Sequence, residues 1–132
     1  MKNLVTKNAR VLYVPELRLV ELKCDGFLSY EDVATVAEYA HKMIQFYKLT
    51  KCIVNLQHIR RYAADSEEYL RNIWYGKLLL AGVRQIAFVV PEDVLGRYSM
   101  ERVHTSDAVK KIRRHYFSDE ASAKAWLSNP EA

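Results

Sequence analysis

Tyr116-Phe117-Ser118-Asp119-Glu120-Ala121-Ser122-Ala123-Lys124-Ala125-Trp126-Leu127 is the stretch whose reading decides the fold. Tyr116 and Phe117 suit the end of a strand. Ser118 or Asp119 then caps a helix by accepting backbone N–H bonds that otherwise go unpaired. The alanine-rich segment after it sets Ala123, Trp126 and Leu127 at i, i+3, i+4, one apolar stripe. A strand, a capped turn and a short helix anchored by Trp-Leu is a way to close an α/β domain.

Working back from this ending, Ile112 to Phe117 is read as a strand, although Ser106-Asp107 suits the cap of a further helical turn in the same region. Glu92 to His104 reads as a helix with Val94 and Tyr98 inward. Gln85 to Pro91 is a buried strand ended by Pro91, which has no N–H to give a ladder. Before it, a helix beginning near Asp65-Ser66-Glu67-Glu68 carries Leu70, Ile73, Trp74, Lys77, Leu78 and Ala81 on one side, and Gly82 stops it. Lys51 to Leu56 is a nearly continuous apolar run, as in a central strand covered on both faces. The clearest helix opens on the box Ser29-Tyr30-Glu31-Asp32 and runs through Val33, Val36, Ala37, Ala40, Met43, Ile44 and Tyr47. Arg10 to Val14 and Leu17 to Cys24, separated by Pro15-Glu16 and ended by Asp25-Gly26, form an antiparallel hairpin. Val20, Leu22 and Cys24 share one face of it; Leu17, Leu19, Glu21 and Lys23 share the other.

The expected architecture is therefore α/β: a mixed sheet with an N-terminal antiparallel hairpin followed by β-α-β units, in the order β-β-α-β-α-β-α-β-α. The 132 residues suffice for one domain with one core. Half the residues are hydrophobic and 27% are charged, which excludes a disordered chain. With four glycines in all, nucleotide-cradling loops are poorly supported, and no cofactor is expected. Neither a signal peptide at Met1 to Lys7 nor an apolar run long enough for a membrane span is present, so a cytoplasmic protein with reduced Cys24 and Cys52 is expected.

The "F-x-D-x-x-x-A-x-x-W-L" ending, the apolar strands Cys52 to Leu56 and Gln85 to Pro91, the helix with Trp74 and the Gly82 stop together resemble the SpoIIAA-like family, relatives of the STAS and CRAL-TRIO domains. The resemblance spans about Val11 to Leu127 and implies a STAS-like fold over residues 1–132. It also implies a small cytoplasmic protein without enzymatic activity: a regulatory or protein-binding module. The CRAL-TRIO relatives imply an alternative, a binder of small lipophilic ligands, with Trp74, Leu78, Phe88 and Met43 lining its cavity. The antagonists that name the family are switched by phosphorylating a serine in an Asp-Ser-Ser-Gly-like segment after a central strand. Here the corresponding segment is Asp65-Ser66-Glu67-Glu68, with Glu67 where the second serine stands, so the resemblance does not carry that switch over.

The candidate partner-binding residues lie in the polar stretch from Gln57 to Ser66: His58, Arg60, Arg61, Tyr62, Asp65 and Ser66. Open α/β sheets place their sites beyond strand C-termini, and this stretch follows the central strand. Ser66 is read first as an N-cap. No catalytic or metal-ligand spacing links His41, His58, His104 and His115, and a cysteine inside an apolar strand is inert. The expected company is a protein partner, a second copy of the chain included. The +4 net charge collects between Arg97 and Arg114. As a strand, Ile112 to Phe117 splits those cations between two faces, which argues against nucleic acid.

Overall fold

Six strands form one sheet in sequence order in a computed structural model of the chain, which describes residues 1–89 and 111–129. They are β1 (Leu4–Val5), β2 (Ala9–Val14), β3 (Leu19–Leu28), β4 (Lys51–Tyr62), β5 (Gln85–Val89) and β6 (Arg113–Phe117). β1, β2 and β3 pair antiparallel, whereas β3 through β6 pair parallel. The mixed sheet with an N-terminal hairpin is thus as expected, with two-residue β1 as an unforeseen addition. The helix expected over Glu92 to His104 and the capped turn at Ser106-Asp107 lie outside the described residues.

Helix α1 (Tyr30–Tyr47) begins as its sequence dictates. The Ser29 hydroxyl accepts the Asp32 N–H at 3.1 Å, and the Asp32 carboxylate accepts the Ser29 N–H at 3.2 Å. Ser29→Ala removes one arm of this box and is expected to cost about 1 kcal/mol, read as a lower midpoint in urea. The stripe Val33, Val36, Ala37, Ala40, Met43 and Ile44 is buried against the sheet.

Helical structure between β4 and β5 comes in three parts: α2 (Ala64–Tyr69), a π-helical turn (Leu70–Trp74) and α3 (Tyr75–Leu80). In the π turn the Tyr75 N–H reaches back to the Leu70 carbonyl. One extra residue per turn rotates the following side chains relative to a regular helix. Tyr75 is therefore buried, while Ile73, expected inward, is 47% exposed. Leu70, Trp74 and Leu78 face the core as expected. Gly82, at φ +100, ends the helix, with its N–H on the Leu79 carbonyl and that of Val83 on Leu78.

The sheet is packed on both faces. Val11, Val20, Leu22, Cys24, Cys52, Val54, Leu56, Ile86 and Phe88 meet α1, α2 and α3. Leu19, Ile53, Ala87 and Val89 meet Ala123 and Leu127 of α4 (Glu120–Leu127), with Phe117 and Trp126 beside them. Asp119 is the cap of α4, its carboxylate accepting the Ser122 N–H at 2.7 Å. Alternating residues of β4 and β5 fall into the two clusters, which explains their continuous apolar reading.

Two boundaries differ from expectation. Asp25-Gly26 does not end the second strand; β3 runs on through it, with Gly26 at φ +63, and the register shifts on either side each place an extra residue on β4. β4 likewise continues through His58 to Tyr62, where a loop was expected. The two extensions pair with each other, Asp25 opposite His58 and Leu28 opposite Tyr62. Buried Leu28 and Ile59 fix this extension to the main core, so local polarity is overridden by two apolar anchors.

Candidate functional site

The β3–β4 extension is where most of the candidate residues stand. Ile59 is buried, so His58 before it projects from the opposite face; Arg60 stands at the register shift that follows, and both side chains are exposed. Phe27 precedes buried Leu28 on the neighbouring strand and shares that outer face; its ring is 64% exposed. Sequence reading missed Phe27 because Asp25-Gly26 looked like the end of the strand. Arg61 and Tyr62 close β4 opposite Phe27 and Leu28; their side chains lie outside the described part of the structure.

Asp65 and Ser66 sit beyond the strand in the first turn of α2, and they separate. Asp65 is exposed. Ser66 is fully buried, and its hydroxyl has no hydrogen-bond partner among the described residues. It is not the N-cap. The cap is Ala63, whose N–H still bonds the Leu28 carbonyl and whose own carbonyl accepts from Ser66 and Glu67. The chain turns into helix directly on leaving the sheet, which carries Ser66 inward to the third helical position.

A second polar cluster, unnoticed in the sequence, lies between the sheet and α4. Glu21 is only 1% exposed. The Asn55 amide donates to its Oε2 at 3.3 Å, and the Lys124 ammonium is 3.9 Å from Oε1. Glu120 joins the cluster from α4 and pairs with Lys23 at 3.0 Å and Lys124 at 3.8 Å. Burial, then the neighbouring Glu120 carboxyl, pushes the Glu21 pKa up to about 7. Glu120 moves the opposite way, to about 2, because Glu21 hydrogen-bonds to it and the two lysines attract its charge. The signal was Asn55 inside the apolar run Cys52 to Leu56: a buried amide needs a partner, and Glu21 on the adjacent strand supplies one.

Other features have simpler accounts. A cleft of about 430 Å³ at the opposite end of the sheet is lined by Arg18, Lys48, Thr50, Lys51 and Ser128 with Glu16. Arg18 donates to the Tyr47 carbonyl and Lys51 to the Leu127 carbonyl. These cations thus serve the negative C-terminal ends of α1 and α4. Burial pushes the thiols of Cys24 and Cys52 up to about 12, which removes them as nucleophiles at neutral pH. The void between sheet and α1, lined by Trp74, Val36 and Leu22 among others, measures about 10 Å³. That is roughly the room of one water, so a lipophilic ligand in this void is not favoured.

No protein-family model matches the chain, and no curated protein does. Among solved structures, the chain is similar to the crystal structure of an uncharacterized protein of the DUF3478 family with a SpoIIAA-like fold, from Shewanella loihica PV-4. The TM-score is 0.57 at 11% identity, and the match covers 96% of this chain and 90% of the other. No helix among the described residues is long and apolar enough to cross a membrane. The mixed α/β architecture of this chain matches a SpoIIAA-like fold.

Proposed function

We propose that this chain is a non-enzymatic, STAS-type regulatory module that binds a protein through the outer face of the β3–β4 extension and the start of α2. The observation that carries this reading is Phe27, an aromatic ring left largely in water on the strand paired with the one that carries exposed His58 and Arg60. Covering such a side chain is worth about 1.5–3 kcal/mol, and aromatic anchors rimmed by charge are the usual energetic centres of interfaces. The two basic side chains favour a partner with an acidic rim, since complementary charge speeds encounter and rejects wrong partners. The small void beside Trp74 and the high-pKa buried thiols support binding over ligand storage there or thiol catalysis.

Capture experiments with quantitative mass spectrometry test this reading. The double variant Phe27→Asp/Arg60→Glu should lose the specific partner of the wild type by at least about tenfold, since that ratio corresponds to about 1.4 kcal/mol. Its melting temperature should stay close to that of the wild type, because both side chains are exposed. A folded double variant that keeps every partner places the binding surface elsewhere. A second copy of the chain as the partner would appear as a dimer in light scattering that the variant abolishes.

A further inference from the structure

We propose that the Glu21–Glu120 contact is a pH-responsive latch that holds the C-terminal helix α4 on the sheet in weakly acidic solution and loosens it as the solution becomes alkaline. Glu21 and Asn55 lie on the sheet, and Glu120 and Lys124 on the helix, so the cluster spans the α4–sheet boundary. Two carboxyl groups meet there with limited compensation. Lys23 is committed to Glu120 at 3.0 Å, and Lys124, at 3.9 Å from Glu21, is shared between both acids. A proton on Glu21 turns repulsion into an O–H···O⁻ hydrogen bond to Glu120, which is the strong, charge-assisted kind.

The surroundings leave Glu21 as the group that titrates near neutrality. On β2 its neighbour is Leu12, with Arg10 opposite Lys23. On β4 it meets Asn55, and the Cys52 thiol stays protonated. On β5, Ala87 and Val89 carry no charge. His115 is the one other nearby candidate among the described residues; its ring lies 5.7 Å from Trp126 of α4.

The direction follows from linkage. Glu21 has a folded pKa of about 7, raised above its ordinary 4.5. With α4 docked, Glu21 therefore holds a proton that it releases when α4 undocks. The stabilisation is fully present below 4.5 and is lost as pH rises through about 7. Glu120, depressed to about 2, acts oppositely, and its contribution is lost as pH falls from 4.5 through 2. Docking is thus strongest in the weakly acidic range. The rest of the grip is apolar and pH-independent in kind: Ala123 and Leu127 are buried and Trp126 packs beside Phe117, while Lys51 donates to the Leu127 carbonyl. Its release uncovers Leu19, Ile53, Ala87 and Val89, a second apolar surface.

Hydrogen exchange on the intact chain tests the latch, with rates corrected for intrinsic pH dependence. From about pH 5.5 to about pH 8, α4 amides should lose at least about tenfold in protection while those of α1 hold. Glu21→Gln keeps the size and a donor but cannot ionise, so its α4 protection should be the same at both pH values. A flat wild type overturns the proposal, and so does a variant as pH-dependent as the wild type. Glu120→Gln gives an independent reading should the first variant fold poorly. With the repelling charge gone, the midpoint should fall by about one pH unit or more; an unmoved midpoint contradicts the latch.

Discussion

Trp74→Ala is expected to destabilise the chain by about 3–5 kcal/mol, a large part of the roughly 5–15 kcal/mol a domain possesses. The indole is fully buried, and its N–H donates to the Ala37 carbonyl of α1 at 2.7 Å. It is the one side chain seen to join the π turn to α1 by a buried hydrogen bond among the described residues. Truncation leaves a cavity and takes a donor from a buried carbonyl, two separate costs. Thermal unfolding followed by circular dichroism should show a drop of roughly 10–20 °C. A drop of less than about 4 °C, equivalent to about 1 kcal/mol, would mean that Trp74 does not tie the helices as described.

Ser66→Asp is expected to cost about 3–5 kcal/mol, the typical penalty of an uncompensated buried charge. Ser66→Ala, by contrast, should be neutral or slightly stabilising. The serine is 0% exposed and its hydroxyl lacks a partner among the described residues, so alanine gives up nothing and aspartate buries a charge beside buried Glu67. Urea titrations of the two variants should therefore diverge in midpoint at similar slope. This asymmetry bears on regulation: phosphate on Ser66 would need the start of α2 to open first. A well-tolerated Ser66→Asp, within about 1 kcal/mol of wild type, would reopen a serine switch at this position.

The parts of the fold legible in the sequence were those governed by local chemistry. Ser29 and Asp32 form a reciprocal cap, Asp119 caps α4, and Gly82 takes the left-handed conformation that stops a helix. The two-sided strands announced themselves through Cys52 to Leu56 and Gln85 to Val89 because both faces are covered. Hidden parts depend on distant partners. Nothing local to Leu70–Trp74 signals a π turn, yet it exchanges Ile73 for Tyr75 in the core. Asp25-Gly26 carries the chemistry of a turn and stays in the strand because β4 pairs alongside it.

The candidate site was legible in position more than in form. His58 and Arg60 do project from the C-terminal reach of the central strand, but as residues of a strand paired with the one that carries Phe27. Ser66 looked like a surface cap and is interior, since the helix starts at Ala64. Glu21 read as one residue of the hairpin face it shares with Leu17, Leu19 and Lys23. Only the packing of α4, about a hundred residues later, makes it a buried acid.

Chemical-shift mapping tests the central claim most directly. The labelled chain is titrated with a partner recovered by capture, and the backbone amides are followed. Binding through the β3–β4 extension predicts the largest changes at Phe27, His58 and Arg60, fading along α2, with the exposed face of α1 around Thr35 and Lys42 unmoved. Changes centred on α1 or on β1 and β2, with the extension silent, would contradict it.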